Sequence, residues 1–436
     1  MISGSLFKNT VLFLLIAIAS CGKKIDSAKP EAANQFNEAI KENKPDITNT
    51  TQTNNPIKTG AENYDAYLPL LESKKIGIVT NQTGVIPFTY RYTATNEDGE
   101  DEPAYATDTI SIVDFFLKSQ NVTKIFAPEH GFRGTADAGE HIKDGKDVET
   151  GLPIVSLYGD NKKPKSEQLA DIDVMVFDLQ DVGARFYTYI STLHYMMEAC
   201  AENNIPLIVL DRPNPNGNIV DGPILEKKYQ SFVGMHPIPI LHGMTIGEYA
   251  KMINGEKWLK NGVQCNLTVI PCLNYTHDMF YHLPIKPSPN LPNDKAINLY
   301  PSLCFFEGTN VSVGRGTEQQ FQIYGSPYLP KTGFSFTPQP NEGAKNPPYK
   351  GITCYGENLS DIPQLNRLEL KWLIKAYNET SDKSKFFTSF FTKLAGTEQL
   401  QQQVTSGMTE AEIRKSWQPG LEQFKQTRRH YLIYKE

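Results

Sequence analysis

One stretch of the chain, residues 172–210, reads IDVMVFDLQDVGARFYTYISTLHYMMEACAENNIPLIVL. It begins with an apolar run over 172–178, continues with helical spacing over 185–203 and ends with a second apolar run over 206–210. Continuous apolar runs on either side of a helix are typical of parallel strands in a sheet that is covered on both faces. The stretch therefore predicts a strand–helix–strand unit of an α/β fold.

The same alternation precedes this unit. Strand-like runs occupy 75–80 and 122–127, and helical spacing lies between them over 109–119. We therefore expect a Rossmann-like, doubly wound and mostly parallel sheet over residues 61–231. The acidic, turn-rich segment 87–108 is interpreted as a surface loop inserted after the first strand.

The pattern changes near Phe232. Short segments rich in proline, glycine and aromatic residues extend from there to about residue 351, and helical spacing then returns. The helical stretches are 365–377, 384–394 and 409–417. Because the chain is too long for one small core, we expect a second, smaller α+β domain over residues 232–436.

The first residues carry a targeting pattern. Lys8 precedes the apolar run VLFLLIAIA (11–19), which is too short to cross a bilayer of ~30 Å as a helix. The run suits the core of a signal peptide, and Ser20-Cys21 completes the pattern of a bacterial lipoprotein cleavage site. We expect residues 1–21 to be a lipoprotein signal peptide and Cys21 to be lipidated. An ordinary signal peptide followed by a chance cysteine is the alternative.

Residues 22–60 are polar and poor in large apolar side chains, which is typical of a flexible tether. Together with the targeting pattern, this predicts an exported bacterial lipoprotein that is held to a membrane through Cys21. Its expected location is the periplasmic membrane face or the cell surface.

Composition and missing motifs disfavour several classes of function. A net charge of −6 argues against nucleic-acid binding. The chain lacks G-x-G-x-x-G after the first strand, G-x-x-x-x-G-K-[ST], G-x-S-x-G and H-E-x-x-H, so we expect no cofactor and no serine-esterase site. It has no C-x-x-C pair that would indicate a zinc ribbon. A disulfide between Cys265 and Cys272 is left open.

Polar loops follow four predicted strands, and ligands of open parallel sheets bind beyond the carboxyl ends of the strands. The loops are 81–84, 128–134, 178–188 and 211–217. We expect them to converge on one crevice. Their candidate substrate-binding residues are Asn81, Arg133, Asp178, Gln180, Arg185, Tyr187, Asp211, Arg212 and Asn214.

The second predicted domain adds further polar candidates. They are His242, Asn290, Glu307, Asn310 and Arg315. Glycines on both sides of Arg315 allow the backbone to approach a ligand closely, although a tight turn with an exposed arginine is the alternative. A metal site is a second alternative, and its possible ligands are Glu129, His130, Asp178, Asp181 and His242. The spacing of these residues does not require a metal, and none is expected.

Ten motifs along the chain, read together, resemble the exo-acting β-N-acetylmuramidase (NamZ-type) family of peptidoglycan turnover. They are TNQTGV (80–85), APEHGFRG (127–134), DAGE (137–140), VFDLQDVGARFYTYISTL (176–193), DRPNP (211–215), DGPIL (221–225), PIPILHGMTIGE (237–248), SPNLP (288–292), YPSLCFFEGTN (300–310) and GRGT (314–317). The resemblance runs from about residue 74 to the C-terminus and is most pronounced before Gly325.

The resemblance implies a Rossmann-like domain joined to an auxiliary domain, with the active site in the cleft between them. It implies release of N-acetylmuramic acid from the non-reducing end of wall glycans. Glu129 carries over as the catalytic residue and Tyr300 as a second candidate, and His130 beside Glu129 is included with them. The run Gln319–Gln322 departs from the Pro-Phe-Glu-like run of the family, and the insertion at 87–108 is longer than expected.

Glycoside hydrolysis needs an acid at the leaving oxygen and a base or nucleophile at the anomeric carbon. Glu129 is the candidate acid if Phe126 and Phe132 desolvate it; the alternative is that it pairs with Arg133 and only orders the loop. The carboxylates that could activate water are Asp178, Asp181 and Glu307. Alternatively, the acetamido oxygen of the substrate attacks while Tyr300 or Asn310 orients it.

Muramic acid carries a lactyl carboxylate, which an arginine can bind through two hydrogen bonds. The candidates are Arg133, Arg185, Arg212 and Arg315. Arg185 and Arg315 rank first because one lies in each predicted domain. A lipid-anchored wall-glycan-binding protein without turnover and a metal-dependent hydrolase are the alternative functions.

Overall fold

The computed structural model describes residues 55–95, 101–134 and 144–436. Its strands are β1 Lys75–Thr80, β2 Val85–Thr95, β3 Asp101–Ser111, β4 Asn121–Ala127, β5 Gly145–Lys146, β6 Pro153–Ser156, β7 Val174–Asp178, β8 Leu207–Leu210, β9 Val220–Asp221, β10 Leu241–His242, β11 Leu267–Ile270, β12 Ile323–Ser326, β13 Phe334–Phe336 and β14 Cys354–Asn358. Its α-helices are α1 Tyr64–Leu71, α2 Ile112–Phe116, α3 Ser166–Leu169, α4 Tyr189–Asn203, α5 Ile246–Gly255, α6 Asp294–Leu303, α7 Lys371–Glu379, α8 Phe391–Ala395, α9 Gln399–Thr405 and α10 Glu410–Arg428. Short 3₁₀ helices lie at Gly60–Glu62, Lys227–Tyr229, Lys260–Gly262, Cys304–Gly308 and Lys383–Lys385. The expected signal peptide, Cys21 and most of the tether lie outside the described residues.

Seven strands form the central sheet in the order β11-β8-β7-β1-β4-β6-β5. Every neighbouring pair is parallel except β5 with β6 at one edge. From β1 the chain first moves outward through β4 and β6, and then returns to place β7, β8 and β11 on the other side. This is the doubly wound Rossmann order, so the prediction of a mostly parallel α/β sheet is confirmed.

The order of the strands reverses between β1 and β7, and ligands bind beyond the carboxyl ends of the strands at such a reversal. The two strands are in register, with Ile76 opposite Val174 and Thr80 opposite Asp178. The loops that follow them therefore leave the sheet at the same level. All five residues of β7 are buried, as expected for a strand covered on both faces.

The described chain divides into two compact units. The smaller comprises the described part of residues 88–108, which lies in β2 and β3. The larger comprises residues 55–87 and the described part of 109–436. The larger unit contains the central sheet and all ten α-helices of the described residues.

A smaller C-terminal part of the larger unit follows the sheet. It holds the three-stranded antiparallel sheet β12-β14-β13 and the helices α6 to α10. One continuous apolar cluster includes Phe126 and Phe177 of the central sheet together with Phe305, Trp372 and Trp417 of the C-terminal part. Because the two parts share this close-packed core, a cavity lined by both has rigid walls.

Two expectations about the first half of the sheet region were wrong. The segment 87–108 is not a loop, because most of it lies in β2 and β3, which pair in a two-stranded sheet. Its residues 88–95, FTYRYTAT, are rich in the aromatic and β-branched residues that favour strands. The long helix begins at Tyr189 and not at Arg185, because the backbone of residues 184–185 pairs with residues 240–241.

The sheet also extends beyond the domain boundary expected at Phe232. Strand β11, Leu267–Ile270, pairs in parallel with all four residues of β8. Its four residues, LTVI, gave no signal because they stand alone among polar and turn residues. The last strand of a doubly wound sheet therefore comes after the change in composition.

Thr245 caps α5: its hydroxyl accepts a hydrogen bond from the backbone of Glu248. The five cysteines of the described residues are all free thiols, so Cys265 and Cys272 do not form the disulfide that the sequence left open.

No helix among the described residues is both long and apolar enough to span a membrane.

Candidate active site

Glu129 stands at the carboxyl end of β4, on a tight turn. His130 and Gly131 both have positive φ, 72° and 77°, and the Gly131 amide donates to the Pro128 carbonyl at 3.0 Å. A positive φ is unfavourable for a residue with a side chain, and such strain concentrates at functional sites. The turn places Glu129 beyond the carboxyl ends of the strands, where the topology predicts ligand binding.

Two hydroxyl groups hold the carboxylate of Glu129. Thr188 Oγ1 donates a hydrogen bond of 2.7 Å to Glu129 Oε2. The Tyr158 side chain is hydrogen-bonded to Glu129 as well, and burial together with that carboxylate raises the pKa of Tyr158 well above its usual value. Arg133 does not take this place, because its guanidinium pairs with Asp147 at 2.9 Å and Glu149 at 3.0 Å. The alternative of a Glu129–Arg133 pair is therefore wrong.

Glu129 lines a cavity of about 180 Å³. Seven of the residues predicted from the sequence line it: Glu129, His130, Tyr187, Asn290, Tyr300, Glu307 and Arg315. They come from both parts of the larger unit. The other lining residues are Tyr158, Phe186, Thr188, Tyr189, Phe232, Val233, Ser288, Leu291, Cys304, Phe321, Phe390 and Leu394.

Aromatic rings build much of the cavity wall. The rings of Tyr187 and Tyr189 are 4.7 Å apart, and Tyr300 packs edge-on against Phe186 at 5.3 Å and Phe321 at 4.9 Å. The Tyr187 hydroxyl donates to the Pro287 carbonyl at 2.9 Å. Edge-on packing of this kind fixes ring positions, so the wall presents ordered apolar faces with a few polar groups between them.

An ion pair forms another part of the wall. Arg315 Nε donates to Glu307 Oε1 at 2.6 Å, while Arg315 Nη1 is buried without a hydrogen-bond partner among the described residues. Burial opposes the charge, but the Glu307 carboxylate raises the pKa of Arg315 above its usual value. The Cys304 thiol lies 3.6 Å from Glu307 Oε2 and donates to it. The pair therefore keeps a cation with unused hydrogen-bonding capacity at the cavity.

The structure contradicts the role expected for Arg185. Its side chain is fully buried, and its Nη1 and Nη2 groups donate to four backbone carbonyls at 2.7–3.0 Å. The acceptors are the carbonyls of Pro223, Ile238, Leu394 and Ala395. Burial lowers the pKa of Arg185 to about 9. Arg185 cross-links the chain inside the protein and does not line the cavity, so the prediction that it binds a substrate carboxylate was wrong.

Arg212 and Asp178 are also engaged with each other. Arg212 Nε and Nη2 donate to the two carboxylate oxygens of Asp178 at 2.6 and 2.9 Å, and Asp178 is fully buried. Neither residue lines the cavity. This pair fixes the loops after β7 and β8, which corrects the expectation that Arg212 binds substrate and that Asp178 activates water.

Asp181 lies behind the cavity wall. Its Oδ2 accepts from the Gly183 amide at 2.7 Å, and its Oδ1 has no partner among the described residues. Burial raises the pKa of Asp181 to about 7. His242 Nε2 lies 3.9 Å from Asp181 Oδ2, and burial lowers the pKa of His242 to about 3. Neither side chain is placed to contact a ligand in the cavity, which corrects both expectations.

The remaining predicted residues of the strand ends hold the loops together. Asn81 Nδ2 donates to the Tyr189 hydroxyl at 2.6 Å, so Asn81 acts on the cavity only through the tyrosine. The other contacts are Gln180 Nε2 to the Pro213 carbonyl at 2.8 Å, Thr245 Oγ1 to Asp211 Oδ2 at 2.7 Å and Asn214 Nδ2 to the Met244 carbonyl at 2.9 Å. The four loops converge as predicted, but Asn81, Gln180, Asp211 and Asn214 do not line the cavity.

Asn310 is not in the cavity wall either. Both polar atoms of its side chain are buried without a partner among the described residues. Its carbonyl accepts from the Tyr349 hydroxyl at 2.8 Å. Its expected role in orienting a substrate acetamido group is therefore not supported by its position.

Sequence reasoning missed Tyr158 and Thr188, which both contact Glu129. Thr188 lies inside the motif 176–193, so its position beside the strand end was the available signal. Tyr158 follows β6, a four-residue strand that was not predicted, and no motif marks it. The proposed metal ligands do not gather, and no group of three or more His, Cys, Asp or Glu in the described residues could hold a metal ion.

Two family models match the chain. One, described as exo-beta-N-acetylmuramidase NamZ, N-terminal, matches residues 76–295, and its C-terminal counterpart matches residues 298–434. The peptidoglycan beta-N-acetylmuramidase NamZ of Bacillus subtilis (strain 168) is 36% identical over 422 residues, which cover 89% of this chain and 94% of that protein.

Two crystal structures of DUF1343 family proteins from Bacteroides fragilis NCTC 9343 are similar to the chain. One is 43% identical and covers 88% of this chain and 100% of that chain, with a TM-score of 0.77. The other is 28% identical and covers 87% of this chain and 99% of that chain, with a TM-score of 0.68.

Proposed function

Because the chain belongs to the exo-β-N-acetylmuramidase NamZ family, we propose that it hydrolyses the β-1,4 linkage of peptidoglycan fragments and releases N-acetylmuramic acid from their non-reducing end. The observation that carries this proposal is the position of Glu129. It stands at the carboxyl end of β4 in a cavity that also contains the Glu307–Arg315 pair. An acid, a second carboxylate and a cation thus face one space with aromatic walls.

Glu129 is the residue we assign to proton transfer at the glycosidic oxygen. Thr188 Oγ1 and the Tyr158 side chain bind its carboxyl group, so its oxygen atoms are held in place before substrate arrives. A positioned acid of this kind contributes roughly 10²- to 10⁴-fold to the rate. His130, on the same turn, lines the cavity beside it.

Glu307 is the residue we assign to the second catalytic role, at the anomeric carbon. Of the three carboxylates considered as a base, Asp178 is buried in its pair with Arg212 and Asp181 lies behind the wall, whereas Glu307 lines the cavity. Arg315 and the Cys304 thiol fix its two oxygens. Glu307 is therefore the carboxylate placed to activate water at the anomeric carbon or to steer the acetamido group if that group attacks.

Arg315 is the residue we assign to the lactyl carboxylate of muramic acid. Its Nε is committed to Glu307, but 18% of the side chain remains accessible at the cavity. A guanidinium suits a carboxylate because its donors lie in one plane and match the two oxygens. Binding of this carboxylate would separate muramides from glucosaminides, which lack the lactyl group.

The decisive experiment offers the purified protein a defined N-acetylmuramyl-β-1,4-N-acetylglucosamine disaccharide and detects free N-acetylmuramic acid by mass spectrometry. Release of the monosaccharide is expected. Tight binding of the disaccharide without product would instead show a wall-glycan-binding protein. Loss of turnover after chelation, with recovery on adding a divalent metal, would show a metal-dependent hydrolase.

We also propose that the protein is exported and anchored to a membrane through Cys21. The support is the order of Lys8, the apolar run 11–19 and Ser20-Cys21, followed by a polar stretch that suits a tether. Cys21→Ala should move the protein from the membrane fraction to the soluble fraction of the cell and abolish its labelling by radioactive palmitate. Labelling that persists in this variant would contradict lipidation at Cys21.

A further inference from the structure

A second cavity lies beside the first, on the C-terminal part of the larger unit. It measures about 470 Å³. It shares Glu307, Arg315 and Phe390 with the catalytic cavity. The Glu307–Arg315 pair is thus a wall common to both spaces, so the two cavities lie next to each other.

The chemistry of the second cavity is that of a site for a neutral sugar. Val311, Val313, Pro347 and the Tyr349 ring supply apolar faces, and Asn346 supplies an amide. The charged residues among its described lining are Glu307 and Arg315, whose charges sum to zero, and Arg315 is the residue assigned to the lactyl carboxylate on the catalytic side of the wall. A pyranose ring has apolar faces and uncharged polar edges, so it fits this lining. A peptide stem with free carboxylates would need unpaired cations, which the described lining does not supply.

Tyr349 supplies an aromatic face of this cavity. Its hydroxyl donates to the Asn310 carbonyl at 2.8 Å, and its ring lies 6.4 Å from the ring of Tyr328. Its φ is 60°, a value that residues with a side chain rarely adopt. The backbone conformation and the hydrogen bond together fix the ring in the cavity wall, where it can receive the face of a sugar without further ordering.

We infer that the second cavity binds the N-acetylglucosaminyl residue on the reducing side of the bond that is cleaved, with Tyr349 as its stacking platform. This inference rests on the proposed function, because the terminal muramic acid must then occupy the catalytic cavity. The Glu307–Arg315 wall lies along the path of the chain between the two sugars. The substrate is recognised as a disaccharide, and not as a terminal sugar alone.

Two substrates separate this site from the catalytic cavity. One is the N-acetylmuramyl-β-1,4-N-acetylglucosamine disaccharide, and the other is β-N-acetylmuramyl fluoride, whose single-atom leaving group leaves the second cavity empty. The kcat/KM value of the disaccharide divided by that of the fluoride measures how much the second sugar contributes to transition-state binding. Tyr349→Ala should lower this ratio about tenfold, the size expected for one aromatic contact.

Tyr349→Phe, which keeps the ring and loses the hydrogen bond, should retain most of the ratio. Phe280→Ala is the matched control, because Phe280 is an exposed aromatic residue, 59% accessible, that lines neither cavity. It should leave the ratio as it is in the unaltered protein. Hydrolysis of the fluoride by each variant shows that the variant is folded.

An unchanged ratio in Tyr349→Ala would overturn the inference and leave the proposed function standing. A loss confined to disaccharides that carry a peptide stem would also overturn it, because the cavity would then hold the stem. Failure of the unaltered protein to hydrolyse either substrate would refute the proposed function, and the inference would fall with it.

Discussion

Arg315 Nε and Glu307 Oε1 are joined by a hydrogen bond of 2.6 Å in the wall that separates two neighbouring cavities. The pair combines two tasks that a muramidase needs near one sugar. Glu307 supplies a carboxylate to the reaction, and Arg315 lines the cavity with 18% of its side chain accessible, so an anionic ligand can reach its guanidinium group. Because each residue holds the other, a change to one is expected to affect both.

Replacing Arg315 should remove the preference for muramic acid. Arg315→Met should lower kcat/KM on a β-muramide at least about thirtyfold, because losing a buried charge-assisted contact costs ~2 kcal/mol or more. The matched β-N-acetylglucosaminide lacks the lactyl carboxylate and should lose much less. Arg133→Met is the control, since Arg133 pairs with Asp147 and Glu149 outside the cavity. Equal losses on both substrates would mean that Arg315 acts only through Glu307.

Removing the acid should abolish most turnover with little effect on binding. Glu129→Gln keeps a group that can receive the hydrogen bond from Thr188 but cannot give a proton, so kcat should fall roughly 10²- to 10⁴-fold. Glu149→Gln, at an exposed position where the carboxylate pairs with Arg133, is the matched control and should stay active. Turnover of Glu129→Gln at the rate of the unaltered protein would remove Glu129 from the mechanism.

The fold could be predicted from the sequence where strands are buried on both faces. The runs at 75–80, 122–127, 174–178 and 207–210 are continuous and apolar, so they stand out. Strands β6 and β11, the first next to the edge strand β5 and the second at the opposite edge, have four residues each and are partly exposed, with no such run to mark them. The acidic, turn-rich centre of the insertion at 87–108 predicts a loop, whereas its strand-forming residues build β2 and β3.

The site was predictable at the level of residue type and loop, but not of orientation. Glu129, Glu307 and Arg315 stand in motifs and do line the cavity. Arg185 stands in an equally polar motif and is buried against four carbonyls. The sequence does not distinguish an arginine that faces a ligand from one that binds backbone carbonyls. The difference depends on where distant segments such as 394–395 pack. Tyr158 was missed for the same reason.

Glu307 should be essential for the step at the anomeric carbon. Glu307→Gln keeps an acceptor for Arg315 but loses the charge, and kcat should fall by about a hundredfold or more. The anomer of the released sugar, followed by NMR, then assigns the route: inversion indicates that Glu307 activates water, and retention indicates a covalent or acetamido-assisted intermediate. Glu342→Gln, at an exposed position, is the control. Full activity of Glu307→Gln would exclude both roles.

Arg185 should matter for stability and not for substrate choice. Arg185→Met removes a donor from four buried carbonyls, of which that of Ile238 keeps the Leu225 amide at 3.2 Å. Each buried group left unsatisfied costs ~1–3 kcal/mol, so unfolding should become easier by several kcal/mol. Calorimetry or chemical denaturation measures this loss. At a temperature where the variant is still folded, its preference for muramides over glucosaminides should match that of the unaltered protein. A selective loss on muramides would return Arg185 to the substrate site.

Asp181 should make stability depend on pH in a specific direction. Burial raises the pKa of its carboxyl group from 3.8 to about 7 in the folded protein, so the folded chain keeps a proton that the unfolded chain has already lost. The contribution of Asp181 to the free energy of unfolding is therefore complete below pH 3.8. It is lost as pH rises towards 7, by an amount on the order of 4 kcal/mol at most. Nearby His242, whose pKa burial lowers to about 3, acts in the opposite sense, since its contribution is lost as pH falls below 6.5.

The variant Asp181→Asn isolates the first of these two effects, because it mimics the protonated carboxyl group and leaves His242 in place. Its amide oxygen can still accept from the Gly183 amide, which bonds to Asp181 Oδ2 at 2.7 Å. The free energy of unfolding of this variant, minus that of the unaltered protein, should rise steadily between pH 4 and pH 7 and then level off. Denaturation with urea at a series of pH values measures the difference. A difference that stays constant over this range would show that Asp181 is ionised in the folded protein at every pH tested, and that its buried carboxylate is stabilised by a partner other than the Gly183 amide.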